Sequence, residues 1–412
     1  MYFFHFGMHL LNVGIQRGEV FCDGVAHATS EPFPVVGRGK HKTAEDFLKA
    51  LASQPAASFH EEWVSACIQE MLRQIGVPFR LDSFGNIIAH YRKGTPARSI
   101  ALVAHMDHPA FEITAKRGKS YQARVLGGYL LPYFSPGTPL RLFTTEGEVT
   151  ATVVRARVVP GYDRPVLTVS ADGPAKAGDW GVLDLPDHYV EGDYIHMRAV
   201  DDLGGCSLAL ATLQELQERQ QSGDVYALFT RAEEVGLVGA TLLARSRAIP
   251  KSTTIISLEA SRSRPIAEAG NGPVIRVGDL RSTFSWDAEL LLHAGLARVQ
   301  VDNPKFKVQR QLMEGGTCEA TAFGAFGYAC TGIALPLGNY HNMSAAGTFA
   351  PEFIHRGDLA GAAELLIATV EASQDEVPNF LRQRYGEVSP EYRRRLQRTA
   401  AKMSVNRGES DA

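Results

Sequence analysis

The sequence predicts an α/β fold: a mostly parallel sheet with helices on both faces, interrupted by a small all-β domain of barrel type. Beyond Val200, short apolar runs alternate with helix-length segments, the rhythm of a parallel sheet covered on both sides. Between about Phe111 and Met197, β-branched runs are separated by Gly, Pro and Asp turns, and no helical period appears. Four clusters, His105-Met-Asp107, Asp201-Asp202, Glu233-Glu234 and Glu259, come after apolar runs or turns, where open α/β sheets place their chemistry.

Compact structure is expected from Thr43, whose spacing to Asp46 matches a capping box. Ser58 and Glu61 repeat that signature before a helix with Val64, Cys67, Ile68, Met71, Leu72 and Ile75 on one face. Leu81 to Ala89 reads as strand, turn, strand, and Ser99–Ala104 as a buried strand delivering His105. In the β-rich stretch, strands are expected at Leu140–Phe143, Glu148–Val158, Val166–Val169 and Trp180–Leu183. The α/β rhythm then places a helix over 203–219, a strand over 224–230, a helix over 237–247 and a strand over 253–259. Further on come a helix over about 285–296, a strand around Ile333, and a helix capped by Asp358 and running to about 372. Ser389-Pro390-Glu391 opens a last helix carrying Arg393, Arg394, Arg395 and Arg398, which suits a solvated face or a basic docking surface. The expected organisation is a catalytic domain over 43–110 and 199–375, with a β domain inserted over 111–198. An N-terminal extension over 1–42 is expected to be poorly ordered, and 376–412 to form a basic helical and polar tail.

The chain has 412 residues, 45% of them hydrophobic, which suffices for one large domain and a smaller one. A formal net charge of −3 gives no general attraction to nucleic acid or to an anionic membrane, and neither partner is expected. No apolar run approaches the roughly 20 residues that span a bilayer. Five cysteines (22, 67, 206, 318 and 330) are scattered without a C-x-x-C pair, so neither a disulfide framework nor a structural zinc site is indicated. Free thiols suit a reducing cytoplasm, the expected location. Residues 1–13 are apolar and Ala26-His27-Ala28 looks like a signal-peptidase site. However, no Lys or Arg precedes the apolar stretch, and Arg17, Glu19 and Asp23 interrupt the region before that site, so an extension is expected rather than a leader.

Each cluster carries chemistry that a plainer role also explains. His105 and Asp107, two residues apart after an apolar strand, suit a metal ligand and the acid that orients it, or a hydrogen-bonded core histidine; His108 reads as a rim residue. Asp201 before Gly204 and Gly205 offers two oxygens to two cations, though Asp-Asp ahead of a helix also suits a cap. Glu233 and Glu234, adjacent on an extended segment, point oppositely, so one can bind a metal while the other takes a proton; a solvated acidic loop is the alternative. Glu259 ends a buried strand, where an acid is costly unless a cation meets it. His341 lies in a loop downstream. Glu314-Gly-Gly-Thr-Cys-Glu319 suits a substrate-contacting turn through Gly316, Thr317 and Glu319, or the start of a helix. Two imidazoles and several carboxylates from five places are what a pair of hydrolytic cations needs.

Their order resembles the M42 family of metallo-aminopeptidases, within the wider set of two-metal peptidases and deacylases. The likeness covers about residues 44–372 and rests on Ala104-His-Met-Asp107, Val200-Asp-Asp-Leu-Gly204 and Glu233-Glu-Val-Gly-Leu-Val-Gly-Ala240. Glu259, Gly315-Gly-Thr317 and His341 extend it. The resemblance implies a zinc-peptidase-like catalytic domain holding two divalent ions, zinc or cobalt. It assigns His105, Asp201, Glu234, Glu259 and His341 as ligands, with Asp201 bridging, Glu233 as general base and Asp107 behind His105. It also implies a cis peptide bond after Asp201, peptide substrates, and dimers building larger homo-oligomers. The sequence departs from the family at four places. His108-Pro-Ala110 replaces Glu-Ile-Gly, Glu259 replaces an aspartate, Cys318-Glu319 replaces Asp-Ala, and Asn342-Met343 replaces Ser-Pro. These changes leave the ligand set competent and bear on the substrate.

The expected activity is thus an aminopeptidase cleaving amide bonds, the substrate's α-amine lying near one of the metals or an acid such as Glu319. A second reading keeps the metals but makes the enzyme a deacylase or carboxypeptidase; Glu259 favours it, with Arg262, Arg264 or Arg281 as the carboxylate clamp. A third, a non-catalytic binding or scaffold protein, would use the altered loops and the basic terminal helix.

Overall fold

A computed structural model describes residues 43–400, apart from 264 and 378, together with Met403. The readings that fall on residues 1–42, on Arg264 and on the end of the polar tail lie outside the described residues. In chain order, helices α1 (Ala44–Ala52) and α2 (Glu62–Ile75) precede strands β1 (Phe79–Leu81), β2 (Ile87–Lys93) and β3 (Ile100–His105). Six strands come next: β4 (Ala110–Arg117), β5 (Ser120–Leu126), β6 (Pro139–Thr144), β7 (Gly147–Arg157), β8 (Val166–Ala171) and β9 (Trp180–Leu183). A hairpin of β10 (Tyr189–Glu191) and β11 (Tyr194–Met197) leads to α3 (Leu203–Arg219). Then come β12 (Gly223–Thr230), α4 (Val238–Ser246), β13 (Thr254–Arg262), β14 (Val274–Gly278), α5 (Trp286–Asp302) and β15 (Gln309–Leu312). The remainder is α6 (Glu319–Ala325), β16 (Cys330–Leu337), β17 (Glu352–His355), α7 (Arg356–Ala372), α8 (Phe380–Gly386) and α9 (Pro390–Ala400).

The main sheet has eight strands in the order β1-β2-β12-β3-β13-β16-β14-β15. Its four central strands, β12, β3, β13 and β16, run parallel, and an antiparallel neighbour flanks them on each side. Buried on both faces, β3 and β16 read as near-continuous apolar runs rather than alternating ones. One face packs on α1, α2, α3, α5 and α7 through Leu48, Ile68, Leu208, Leu291 and Leu366. The other packs on α4 and α6 through Leu243 and Phe323. The α/β architecture expected from the sequence is therefore present.

The β-rich stretch closes into a six-stranded barrel, β4-β5-β8-β7-β6-β9, around Phe111, Ile113, Leu140, Leu142, Leu167 and Val169. Strand alternation sends these side chains inward. The β10–β11 hairpin lies outside the barrel, because β11 pairs with β17, far downstream in the chain.

Several local expectations are corrected. Thr43 and Asp46 form the capping box that starts α1, but Ser58 and Glu61 do not form one for α2, whose N-cap Glu61 makes no side-chain cap bond. The Glu61 carboxylate instead accepts the N–H of Ala232 at 2.9 Å and an Arg231 guanidinium N–H at 2.8 Å. Asp358 is not the cap of α7. That place belongs to His355, whose ring accepts the Gly357 N–H at 3.0 Å, while Asp358 accepts Gly270 and Gly272 N–H groups at 2.7 and 2.8 Å. Strand β13 runs three residues past Glu259, and α5 runs to Asp302. Helix α6 begins at Glu319, where the sequence offers a helix start as one alternative. Strands β4 and β5 fall in the β-rich stretch without expected bounds, and β14, β15, β17 and α8 are not among the expected elements.

Candidate active site

The parallel strands bring the clusters together at their C-terminal ends, the position open α/β sheets use for ligands. His105 is the last residue of β3 and lies beside Thr230 of β12. Ala232 then takes a left-handed turn (φ 52°), delivering Glu233 and Glu234. Glu259 stands in β13 beside Ala334 of β16, and His341 lies beyond β16 in a turn where Asn339, His341 and Asn342 all have positive φ. Asp201 precedes α3; its peptide bond to Asp202 is cis, and Asp202 caps α3 by accepting the Gly205 N–H at 2.9 Å.

The five expected ligand residues converge as two sets of donors: His105, Asp201 and Glu259, and Asp201, Glu234 and His341, the atoms of each set within 4.8 Å of one another. Asp201 is common to both. Its Oδ1 lies 3.2 Å from His105 Nε2 and its Oδ2 lies 3.6 Å from His341 Nε2. His341 Nε2 is 3.4 Å from Glu234, and His105 Nε2 is 3.8 Å from both Glu259 and Glu233. Most of these gaps exceed a hydrogen bond. They are close to the roughly 3.4 Å edge of a tetrahedron whose centre lies about 2.1 Å from each donor.

The electrostatics agree. Burial pushes the Asp201 carboxyl up to about 7, with Glu259 and Glu234 adding to it against His105. Burial likewise holds the Glu233 carboxyl well above its ordinary range, with Glu234, Glu259 and Glu319 pushing the same way and His105 opposing. Burial lowers the basicity of His105, but the charge of Glu233 and the nearby carboxylates of Asp107, Asp201 and Glu259 outweigh it. Asp201 Oδ1 and Glu234 Oε1 are buried without a hydrogen-bond partner. Crowded carboxylates with orphaned oxygens are costly until cations meet them, so the donor set fits divalent ions.

The M42 glutamyl aminopeptidase family model matches residues 174–352. A protein of Acetivibrio thermocellus provisionally named an aminopeptidase is 23% identical over 342 residues, covering 79% of this chain and 98% of the relative. The TET aminopeptidase of the marine sediment archaeon Thaumarchaeota archaeon SCGC AB-539-E09 is 18% identical and superimposes with a TM-score of 0.68, covering 80% of this chain and 98% of that one. The Pyrococcus horikoshii TET1 peptidase, described as assembling into a tetrahedron or a large octahedral shell, is 22% identical with a TM-score of 0.63, covering 80% and 99%. The chain resembles the M42 peptidases.

Around the donor set lies a supporting framework, of which only Asp107 stands out in the sequence. His105 Nδ1 meets the Asp107 backbone carbonyl at 3.0 Å, while the Asp107 carboxylate, 3.6 Å away, accepts N–H groups of Glu233 and Glu234 at 2.9 and 3.2 Å and the Ser58 hydroxyl at 2.7 Å. Glu352 of β17 accepts the N–H groups of Val200, Asp201 and His341 at 2.8, 3.1 and 2.8 Å. His108 is not on a rim: it is buried, its ring 2.7 Å from the Asp201 carbonyl and 3.0 Å from Asn342 Oδ1, and burial lowers its pKa to about 4. The loop between β5 and β6 contributes too. Gly128 passes so close to His341 that a Cβ there would overlap the imidazole.

The cavity at this site is lined by Asp201, Glu233, Glu259 and His341, by Gly315–Thr317, and by Arg262, Arg276 and Tyr340. Gly316 and Thr317 thus face it. Glu319 does not: it is fully buried at the start of α6, accepting from Thr230 and Ser257 hydroxyls at 3.2 Å each, where no substrate amine reaches it. Arg281 is exposed outside the lining, whereas Arg262 lines it. Arg276 has no signal in the sequence, being one basic residue in an otherwise ordinary strand, β14. It is 2% exposed, lies 3.5 Å from Glu259, and its Nε and Nη1 have no hydrogen-bond partner.

Proposed function

We propose that the chain is a metal-dependent aminopeptidase that hydrolyses the amide bond after the N-terminal residue of a peptide. The carrying observation is the pair of donor sets sharing Asp201, with Glu233 on the cavity wall beside them. His105, Asp201 and Glu259 would hold one divalent ion and Asp201, Glu234 and His341 the second, zinc or cobalt being suited to these donors. When bound, such ions supply Lewis acidity and a more acidic water. Glu233 takes the proton of the attacking water and returns it to the leaving amine as the C–N bond breaks. Asp107 fixes Glu233 and Glu234 through their backbone N–H groups, and the 315–317 loop positions the substrate chain. Assembly into dimers or higher homo-oligomers belongs to the same proposal, favoured by the shells described for the TET1 peptidase.

One observation favours a second reading. The Arg276 guanidinium, whose Nε and Nη1 make no hydrogen bond, suits a carboxylate, which in a carboxypeptidase or deacylase would be the substrate's C-terminus. Aminoacyl arylamides, N-acetylated dipeptides and C-amidated dipeptides, assayed after chelation and after returning zinc, cobalt or manganese, separate these readings. Metal-restored cleavage that requires a free amine supports the aminopeptidase. Preference for acetylated substrates with a free carboxylate supports the second reading. Hydrolysis indifferent to chelation, or none with any metal, rules out both.

A further inference from the structure

Tyr340 stands in the cavity immediately before His341, and the donor set gives it no role. Its ring stacks on the His341 imidazole with centroids 3.8 Å apart and planes 23° from parallel. The Arg262 guanidinium lies 5.0 Å from its centroid. Held this way, the ring is positioned rather than free to swing. A Cβ built on Gly316 would lie 3.4 Å from the phenol oxygen, so that oxygen stands against the 315–317 loop at the cavity wall. No described residue hydrogen-bonds the hydroxyl. A part-buried phenol with its donor unspent, facing the space where an amide must lie, is poised to bind something there.

We propose that Tyr340 is a catalytic residue whose hydroxyl donates a hydrogen bond to the scissile carbonyl oxygen and to the oxyanion that replaces it. The inference rests on the aminopeptidase reading and deepens it. Water adds to the carbonyl carbon, the C=O π pair moves onto oxygen, and Glu233 accepts the water's proton. The pair then returns, the C–N bond breaks, and Glu233 protonates the departing nitrogen. Tyr340 keeps its proton throughout and acts by orientation. A fixed donor in a site sheltered from water is where such stabilisation counts most.

Tyr340→Phe tests this, since it keeps the stacked ring and removes one oxygen. In the metal-reconstituted full chain, kcat should fall by about 100-fold or more, with KM within about threefold. Metal content by plasma mass spectrometry should be unchanged. A phosphinic peptide analogue of the tetrahedral species should bind more weakly by a factor similar to the kcat loss, while a product amino acid binds as before. Unchanged kcat and analogue affinity in the variant, or a change confined to KM, overturn the proposal while leaving the aminopeptidase reading intact. A wild-type protein that neither cleaves an amide nor binds the analogue overturns both.

Discussion

The Asp107 carboxylate accepts the backbone N–H of Glu233 at 2.9 Å, joining the end of one central strand to the turn after its neighbour. With Glu234 N–H and the Ser58 hydroxyl on its other oxygen, this buried acid uses its capacity on the turn that presents the two glutamates. Asp107→Asn puts an amide donor where an acceptor is needed. Activity should fall by about 10- to 100-fold, and the metal-free protein should lose about 1–3 kcal/mol in urea unfolding. Equal unfolding midpoints and rates for variant and wild type would show that the turn does not depend on this carboxylate.

Glu352 plays the corresponding part on the opposite side, accepting from Asp201 and from His341, which are distant in sequence but belong to one donor set. Burial pushes its carboxyl well up, with Asp201 adding to it, while the N–H groups of Asp201, His341 and Val200 oppose this. Glu352→Gln should weaken metal binding by about 10- to 100-fold, as read by competition with a chromophoric chelator. The effect should exceed that at an exposed acid such as Glu387. Wild-type affinity in the variant would mean that Glu352 supports only the backbone.

Of these two acids, Asp107 is legible in the sequence beside His105, and Glu352 is not. His105, Asp201, Glu233, Glu234 and Glu259 are legible because each comes after an apolar run or a turn, and strand order converts that placement into convergence. His341 is weak alone and gains its weight through resemblance. Glu352 lies in a four-residue strand with nothing to distinguish it from a solvated acid, and its role exists only once β17 pairs with β11. His108 looks peripheral in sequence because the loop that buries it, through Asn342, lies far downstream and leaves no local pattern. The Ser58–Glu61 spacing misleads for the opposite reason. It matches a cap, yet both side chains are recruited by tertiary partners: Asp107 for one, the Ala232 N–H and the Arg231 guanidinium for the other.

Arg276 offers a test of substrate preference. Its guanidinium lines the cavity with Nε and Nη1 making no hydrogen bond, and Nη1 lies 3.5 Å from the Glu259 carboxylate. An acidic N-terminal side chain would supply the missing acceptor, so glutamyl and aspartyl arylamides should be cleaved faster than leucyl ones. Arg276→Met should reduce kcat/KM for the acidic substrates by about 10- to 100-fold at saturating metal, with a smaller loss for leucyl. A uniform loss across all three would assign Arg276 to holding Glu259 alone.

Away from the site, Glu289 of α5 ties that helix to β15. It lies 2.9 Å from His293 Nε2 and 3.1 Å from Arg310 Nη2. Burial alone would raise its carboxyl, but the hydrogen bonds from His293 and Arg310 outweigh it and hold the pKa below the ordinary 4.5. A carboxylate depressed on folding stabilises the native state above its unfolded pKa, and that contribution is lost as pH falls through the folded value. Arg310→Met removes one donor from the ionised form. The stability gap between wild type and variant should therefore be full above about pH 5 and shrink progressively below about pH 4. Since Arg310 is half exposed, solvent screening keeps the gap small, and it should shrink further in high salt. Urea unfolding of both proteins across this acidic range measures it; a gap that widens on acidification would show that Glu289 is not the ionised partner.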